Sequence, residues 1–315
     1  MMRENIPGSI NTNLPLELKA ALEWLGELGI AYSQTRFGRY KKTLEKLEAE
    51  RLKIKSAIKL ESPWVKNPNL YDAVAKLNAS ATLFEANELA TIHQGLANRG
   101  LEEYLRPKLK VLVSGAASYV EESVGRSKAR DTGFELAVMA RLATAGFITQ
   151  PDSGLADVVV RMGGTTYIME CKRPQSEAGV YDAIRDARRQ LDVRYQQMPA
   201  TNPIGFIAVD VTKLFNPELT VPNVVRPVEL ISLIPKRMAT FLDSRRKEFE
   251  KVSDARTAGI LVRYSVLTWA EASQCLCWLH HYGVRHMPDA HAVGLRAVKV
   301  VEEAINRANG LEPLN

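Results

Sequence analysis

The Gly163-Gly164 dipeptide constrains this chain more than any other feature. It separates two β-prone runs within the segment from Gly154 to Lys172. A two-residue hairpin turn of the primed type needs positive φ at its centre, which glycine adopts freely, so two glycines between such runs predict a tight β-hairpin. The turn pairs residues whose numbers add to 327, the sum across the two glycines, and so sets Asp157 against Glu170. Opposed Cβ atoms in an antiparallel ladder lie roughly 4.5–5.5 Å apart. Side chains alternate along a strand, so Glu170 and Lys172 share one face while Cys171 points to the other.

Two carboxylates and an ammonium therefore converge. Like charges opposed across a sheet are destabilising and ask for a compensating cation. Magnesium or manganese suits oxygen donors, here Asp157, Glu170 and the Cys171 backbone carbonyl. Phosphodiester hydrolysis needs an activated in-line water and stabilisation of charge at phosphorus. Lys172 can position that water or neutralise the charge, because a lysine is a mobile point charge. The alternative is a surface hairpin whose Asp and Lys serve solubility. Against it, Val158, Val160, Met162, Tyr167 and Met169 mark one buried face, and the acids on the other are flanked by Val159 and Ile168, where burial is costly. A literal Pro-Asp, Pro151-Asp152, precedes Gly154 in an expected loop.

The chain has 315 residues and a hydrophobic content of 46%, as in a globular protein. Residues 1–127 read as a helical region: Leu16 to Leu28 closed by Gly29, Tyr40 to Ile58 with a stripe of Leu44, Leu47, Arg51, Ile54 and Ile58, and Leu70 to Arg99 closed by Gly100. A further helix includes Leu101 to Leu105, with Pro107 as punctuation. From residue 128 helices and strands alternate. Thr132 to Ala145 is closed by Gly146; the hairpin follows, then a helix from Glu177 to Gln197 and a buried strand from Ile204 to Thr212. A helix near Pro235 to Val252, strands at Gly259 to Leu267 and Cys275 to Tyr282, and a helix from His291 to Ala308 complete a mixed sheet covered by helices. The Cys275-Leu276-Cys277 spacing and the histidines after it fit strand alternation better than a zinc knuckle. Three cysteines form no disulfide framework and fit a reducing, cytoplasmic setting, and no stretch approaches the roughly 18 apolar residues of a membrane span. The net charge is +6, with Arg36 to Lys59 holding nine basic and three acidic residues. That run is either a phosphate-backbone contact or the solvated face of a paired helix.

Asp157, Glu170 and Lys172, an acid on one strand and Glu-x-Lys on the next, resemble the hallmark of the PD-(D/E)xK (restriction-endonuclease-like) nucleases. The resemblance covers about residues 128–290. It implies an α/β fold, a mixed sheet flanked by helices, and magnesium-dependent hydrolysis of DNA leaving 5′-phosphates. It also implies accessory roles for Glu135 upstream and Gln190 downstream. Glu135 has a structural alternative, a capping box with Thr132. Some members carry a Gln and a Tyr on this helix with three residues between them; here four residues intervene between Gln190 and Tyr195. Arg173, Arg185, Arg188 and Arg189 are candidate nucleic-acid contacts, the last three otherwise lying on a solvated helix face. The helical region would dimerise the chain, touch nucleic acid or dock a partner subunit. Bacterial or phage defence is the setting many stand-alone relatives occupy. The rival readings are a non-catalytic nucleic-acid-binding or assembly subunit and an RNA-cleaving nuclease.

Overall fold

The computed structural model describes residues 14–57, 72, 74–75, 79–116, 119, 128–150, 156–271 and 275–308. Among the described residues, α1 (Leu14–Glu27), α2 (Arg36–Ala57), α3 (Ser80–Leu96) and α4 (Glu102–Val113) come first. Then follow α5 (Lys128–Thr144), β1 (Ile148–Thr149), β2 (Val158–Met162), β3 (Thr165–Lys172), α6 (Val180–Gln197) and β4 (Ile204–Asp210). The chain closes with α7 (Thr212–Phe215), β5 (Asn223–Val224), α8 (Pro227–Ser244), α9 (Arg246–Lys251), β6 (Thr257–Ala270), β7 (Cys275–His286) and α10 (Ala292–Ala308). The expected α/β class is observed, with one mixed sheet. β1, β2 and β3 run antiparallel, and β3, β4 and β6 run parallel. β5 continues the β4 edge of β6, and β7 pairs antiparallel with β6 along the other edge. Among the described residues no helix is long and apolar enough to cross a membrane.

The β2–β3 register is the one the two glycines imply: Val158 faces Met169 and Met162 faces Thr165. Gly163 and Gly164 take φ of +57° and +80°, the doubly left-handed turn that strand twist favours. The pleat then sorts the hairpin between two cores. Val158, Val160, Tyr167 and Met169 pack beneath α5 with the N-terminal helices. Val159 and Ile168 pack with Ile184, Ala187 and Leu191 of α6. Both faces of the hairpin are covered, so an acid on it is screened from solvent by helices.

Helix ends follow local chemistry. Gly29 and Gly146 sit at φ +70° and +96° just past α1 and α5. There Ile30 N–H reaches Leu25 O and Phe147 N–H reaches Leu142 O, so closing carbonyls are satisfied. Three expectations need correction. Pro107 does not interrupt its helix: it sits exposed in the second turn of α4, where only the Glu103 carbonyl lacks an intrahelical donor. Thr132 is no N-cap, because α5 begins four residues earlier and Thr132 is buried within it, which leaves Glu135 without the capping role. Thr212 belongs to α7 and not to the strand before it, its amide capped by the Asp210 carboxylate.

Buried side chains on the two sides of residue 128 pack together. One buried cluster runs from Leu18 and Leu89 in the helical region through Phe134 to Phe206 and Leu261 in the sheet. Leu44 and Leu47, the described part of the expected pairing stripe on α2, are buried in this cluster; side chains from residue 50 to the end of α2 lie outside the described residues, as do Ile58 and Pro151-Asp152. At the closest helix contact, a Cβ on Gly95 would stand 2.5 Å from the Ala140 carbonyl oxygen. We therefore expect G95A to cost about 1–3 kcal/mol, since extra atoms in a packed contact force backbone shifts. Calorimetry should show one transition, lowered as a whole; a helical region melting separately from the sheet would contradict the shared core.

Candidate active site

The carboxyl end of β3 carries the acids. Asp157 lies one residue before β2, and the register carried one step further sets it against Glu170. Its Oδ2 accepts a hydrogen bond from the Cys171 N–H at 2.7 Å, replacing a ladder bond that the missing strand residue would have supplied. Cys171 is extended, so its carbonyl leaves the same strand edge as that N–H. The Asp157 carboxyl lies beside that of Glu170. The opposed pair inferred from the turn is thus present in three dimensions.

α6 supplies the partners on this face. Its apolar stripe of Ile184, Ala187, Leu191 and Tyr195 packs on the sheet. An adjoining polar stripe at four-residue spacing, Asp186, Gln190 and Arg194, lines up over β3. Lys172 Nζ donates to Gln190 Oε1 at 2.5 Å and pairs with Asp186 Oδ2 at 3.0 Å. Arg194 Nε lies 3.1 Å from Glu170 Oε1, and its Nη1 reaches Gln197. Glu170 is 1% exposed beneath it. Tyr195 is turned away from the acids into the core, where its hydroxyl meets Thr257 at 3.2 Å.

The other side is closed by α5 and α4. Glu135 projects from α5 and receives Lys108 Nζ of α4 at 2.7 Å; the same ammonium lies 3.4 Å from the Asp157 carbonyl oxygen. Three acids, Glu135, Asp157 and Glu170, therefore share one neighbourhood with three cations, Lys108, Lys172 and Arg194. The electrostatics register the crowding. Burial, then Asp157 beside it, pushes the Glu170 carboxyl up to about 8 against the opposing pull of Arg194 and Lys172. Burial and Asp157 likewise raise Glu135 to about 7 although Lys108 opposes this. Burial works against the Lys108 ammonium, but Glu135, Tyr104 and Asp157 together outweigh it and the pKa of Lys108 is raised. Burial, followed by the three acids, raises the Cys171 thiol well above its usual range, so it stays an inert thiol.

Two of these groups escaped the sequence reading. Arg194 follows Gln190 by one helical turn, a spacing that could have shown it. Lys108 had no such signal, because Pro107 was read as the end of its helix. Among the four arginines expected to face nucleic acid, Arg185 and Arg189 are exposed and pair only within α6, with Asp182 and Asp186. Arg173 and Arg188 are committed to the fold. Arg173 is 5% exposed and bridges Asp210 at 3.2 Å and Asp131 at 3.4 Å. Arg188 pairs with Asp192 of its own helix and with Asp254.

Among the described residues no group of three or more His, Cys, Asp or Glu side chains is arranged to hold a metal ion. Magnesium does not require such a cage: it commonly binds through one or two carboxylates while keeping its waters. An all-oxygen set of Asp157, Glu170 and the Cys171 carbonyl, with protons held by crowded acids, fits that ion in donor chemistry. Comparison with protein-family models, with curated proteins and with solved structures finds no match for this chain.

Because the folded chain holds the Glu170 proton more tightly than the unfolded one, stability falls as pH rises from the ordinary carboxylate range of 4.5 toward about 8, and Glu135 adds to the fall in the lower part of that window. The melting temperature should therefore drop across this interval, and E170Q should flatten the curve. A native profile that rises with pH there would rule out the buried, proton-holding pair.

Proposed function

We propose that this chain is a metal-dependent nuclease of the PD-(D/E)xK kind, with a restriction-endonuclease-like arrangement of its sheet, that hydrolyses DNA phosphodiester bonds. The observation that carries the reading is the meeting of Asp157 and Glu170 at the carboxyl end of β3 with Lys172 two residues on. Asp157, Glu170 and the Cys171 carbonyl would hold magnesium or manganese, which when bound supplies a Lewis acid and a water of lowered pKa.

The protein's own groups do the rest. Lys172 is aimed by Gln190 and Asp186, so its ammonium is presented to one spot instead of sweeping solvent. From there it orients the attacking water and offsets charge building on the phosphate oxygens. The water oxygen bonds to phosphorus as the bond to the 3′ oxygen breaks, leaving a 5′-phosphate. Glu135, the third acid, takes the water's proton or passes it to solvent, a role suited to a carboxyl held near neutrality. Arg185 and Arg189 on the exposed side of α6 provide backbone-directed charge whose contribution weakens with salt.

K172A should lower cleavage of circular DNA in magnesium by at least about 100-fold, the scale of losing one positioned transition-state group, in a chain that still unfolds cooperatively. D157N should lower cleavage by a similar factor. Both variants cutting at the native rate would remove the assignment. DNA binding by the native chain without any metal-dependent cutting would instead favour a non-catalytic binding subunit, and cleavage confined to RNA would change the substrate.

A further inference from the structure

The ammonium of Lys108 comes from the helical region, outside the part of the chain that carries the active-site motif, yet its contacts are with the acids' surroundings. Glu135 Oε2 is 2.7 Å away and the Asp157 carbonyl oxygen 3.4 Å away, and the Tyr104 ring lies 5.7 Å from Nζ. The neighbouring positions Leu105, Leu109 and Leu112 are buried in the core, so α4 is fixed and aims Lys108 at the site from a rigid base. The side chain retains 23% exposure, which leaves its stem a route to water.

Resting on the reading above, we infer that Lys108 is a built-in counter-cation of the acidic cluster: it holds Glu135 in the metal-free protein and withdraws toward solvent when a divalent cation enters. With their protons driven off by the entering ion, the three acids only balance the three cations already there, and the ion brings two charges in excess. The cation least tied down is the one displaced. Lys172 is held by both Gln190 and Asp186, and Arg194 spans Glu170 and Gln197. Lys108 is held by one carboxylate, one long carbonyl contact and the Tyr104 side chain, on the most mobile type of cationic side chain. Lys108 is thus a positioning residue acting through Glu135, and it makes metal affinity depend on where α4 sits.

The test measures manganese binding to the full chain by titration calorimetry, with melting temperatures recorded with and without the ion. K108M keeps the length of the stem and removes the charge. It should bind manganese at least about tenfold more tightly than the native chain, since a nearby positive charge no longer opposes the ion. Its melting temperature should also rise more on manganese addition. K108R should retain native affinity, and K108Q replaces K108M if that variant does not fold. A purely structural lysine would lower stability with and without the ion alike. Native manganese binding with equal or weaker binding in K108M and K108Q overturns this inference and leaves the proposed activity standing. No manganese binding by the native chain overturns both.

Discussion

Opposed carboxylates cost free energy wherever they are placed, and the fold around Asp157 and Glu170 is arranged to offset that cost. The hairpin register sets the pair together, the Cys171 amide satisfies one oxygen, Arg194 approaches from α6, and Lys172 stands two residues beyond Glu170 on β3. Glu135 adds a third acid and Lys108 a third cation. Burial makes every one of these interactions stronger than it would be in water, in both signs. A merely solubilising hairpin would leave the acids to solvent; here helices close over both faces of it.

A second set of buried charges does structural work. Arg263, near the middle of β6, pairs with Glu88 of α3 and Asp210 of β4, both at 2.6 Å, and Asp210 continues to Arg173. The two arginines hold the Asp210 carboxyl down at about 2 although burial opposes them. A charge removed from this chain would strand its partner in the interior, so these groups fix the helical region on the sheet rather than reach for ligands. That accounts for Arg173, whose place next to Lys172 in sequence suggests a substrate contact. β3 ends there, and the chain carries Arg173 to Asp210 and Asp131 while Lys172 stays with α6.

The hairpin was legible because its determinants are local. Two adjacent glycines specify the turn, the turn specifies the register, and the pleat specifies which side chains share a face. The helices of the second half were legible for similar reasons, except that α8 begins at Pro227, eight residues before the expected Pro235, which lies inside it, and α9 follows as a separate helix. Glu135 was only half legible: a Thr three residues before a Glu reads as a capping box, and tertiary packing extended α5 backwards past it. Pro107 misled because proline ends helices by default, whereas near a helix start it removes a single bond that packing of Leu105, Leu109 and Leu112 outweighs.

The sequence by itself determined the opposed acids, the lysine beside them and the α/β order of elements, since each depends on contacts between residues near in the chain. Only the tertiary structure decided that Lys108 and Arg194 complete the charge balance and that the helical region shares the sheet's core. It also decided that Arg173 pairs with Asp210 and Asp131, and Arg188 with Asp192 and Asp254. Those outcomes depend on which distant side chains arrive at a given buried charge, and no local pattern encodes the arrival: the requirement that buried charges be paired is met by whichever partner the packing of α4, α5 and α6 brings within reach.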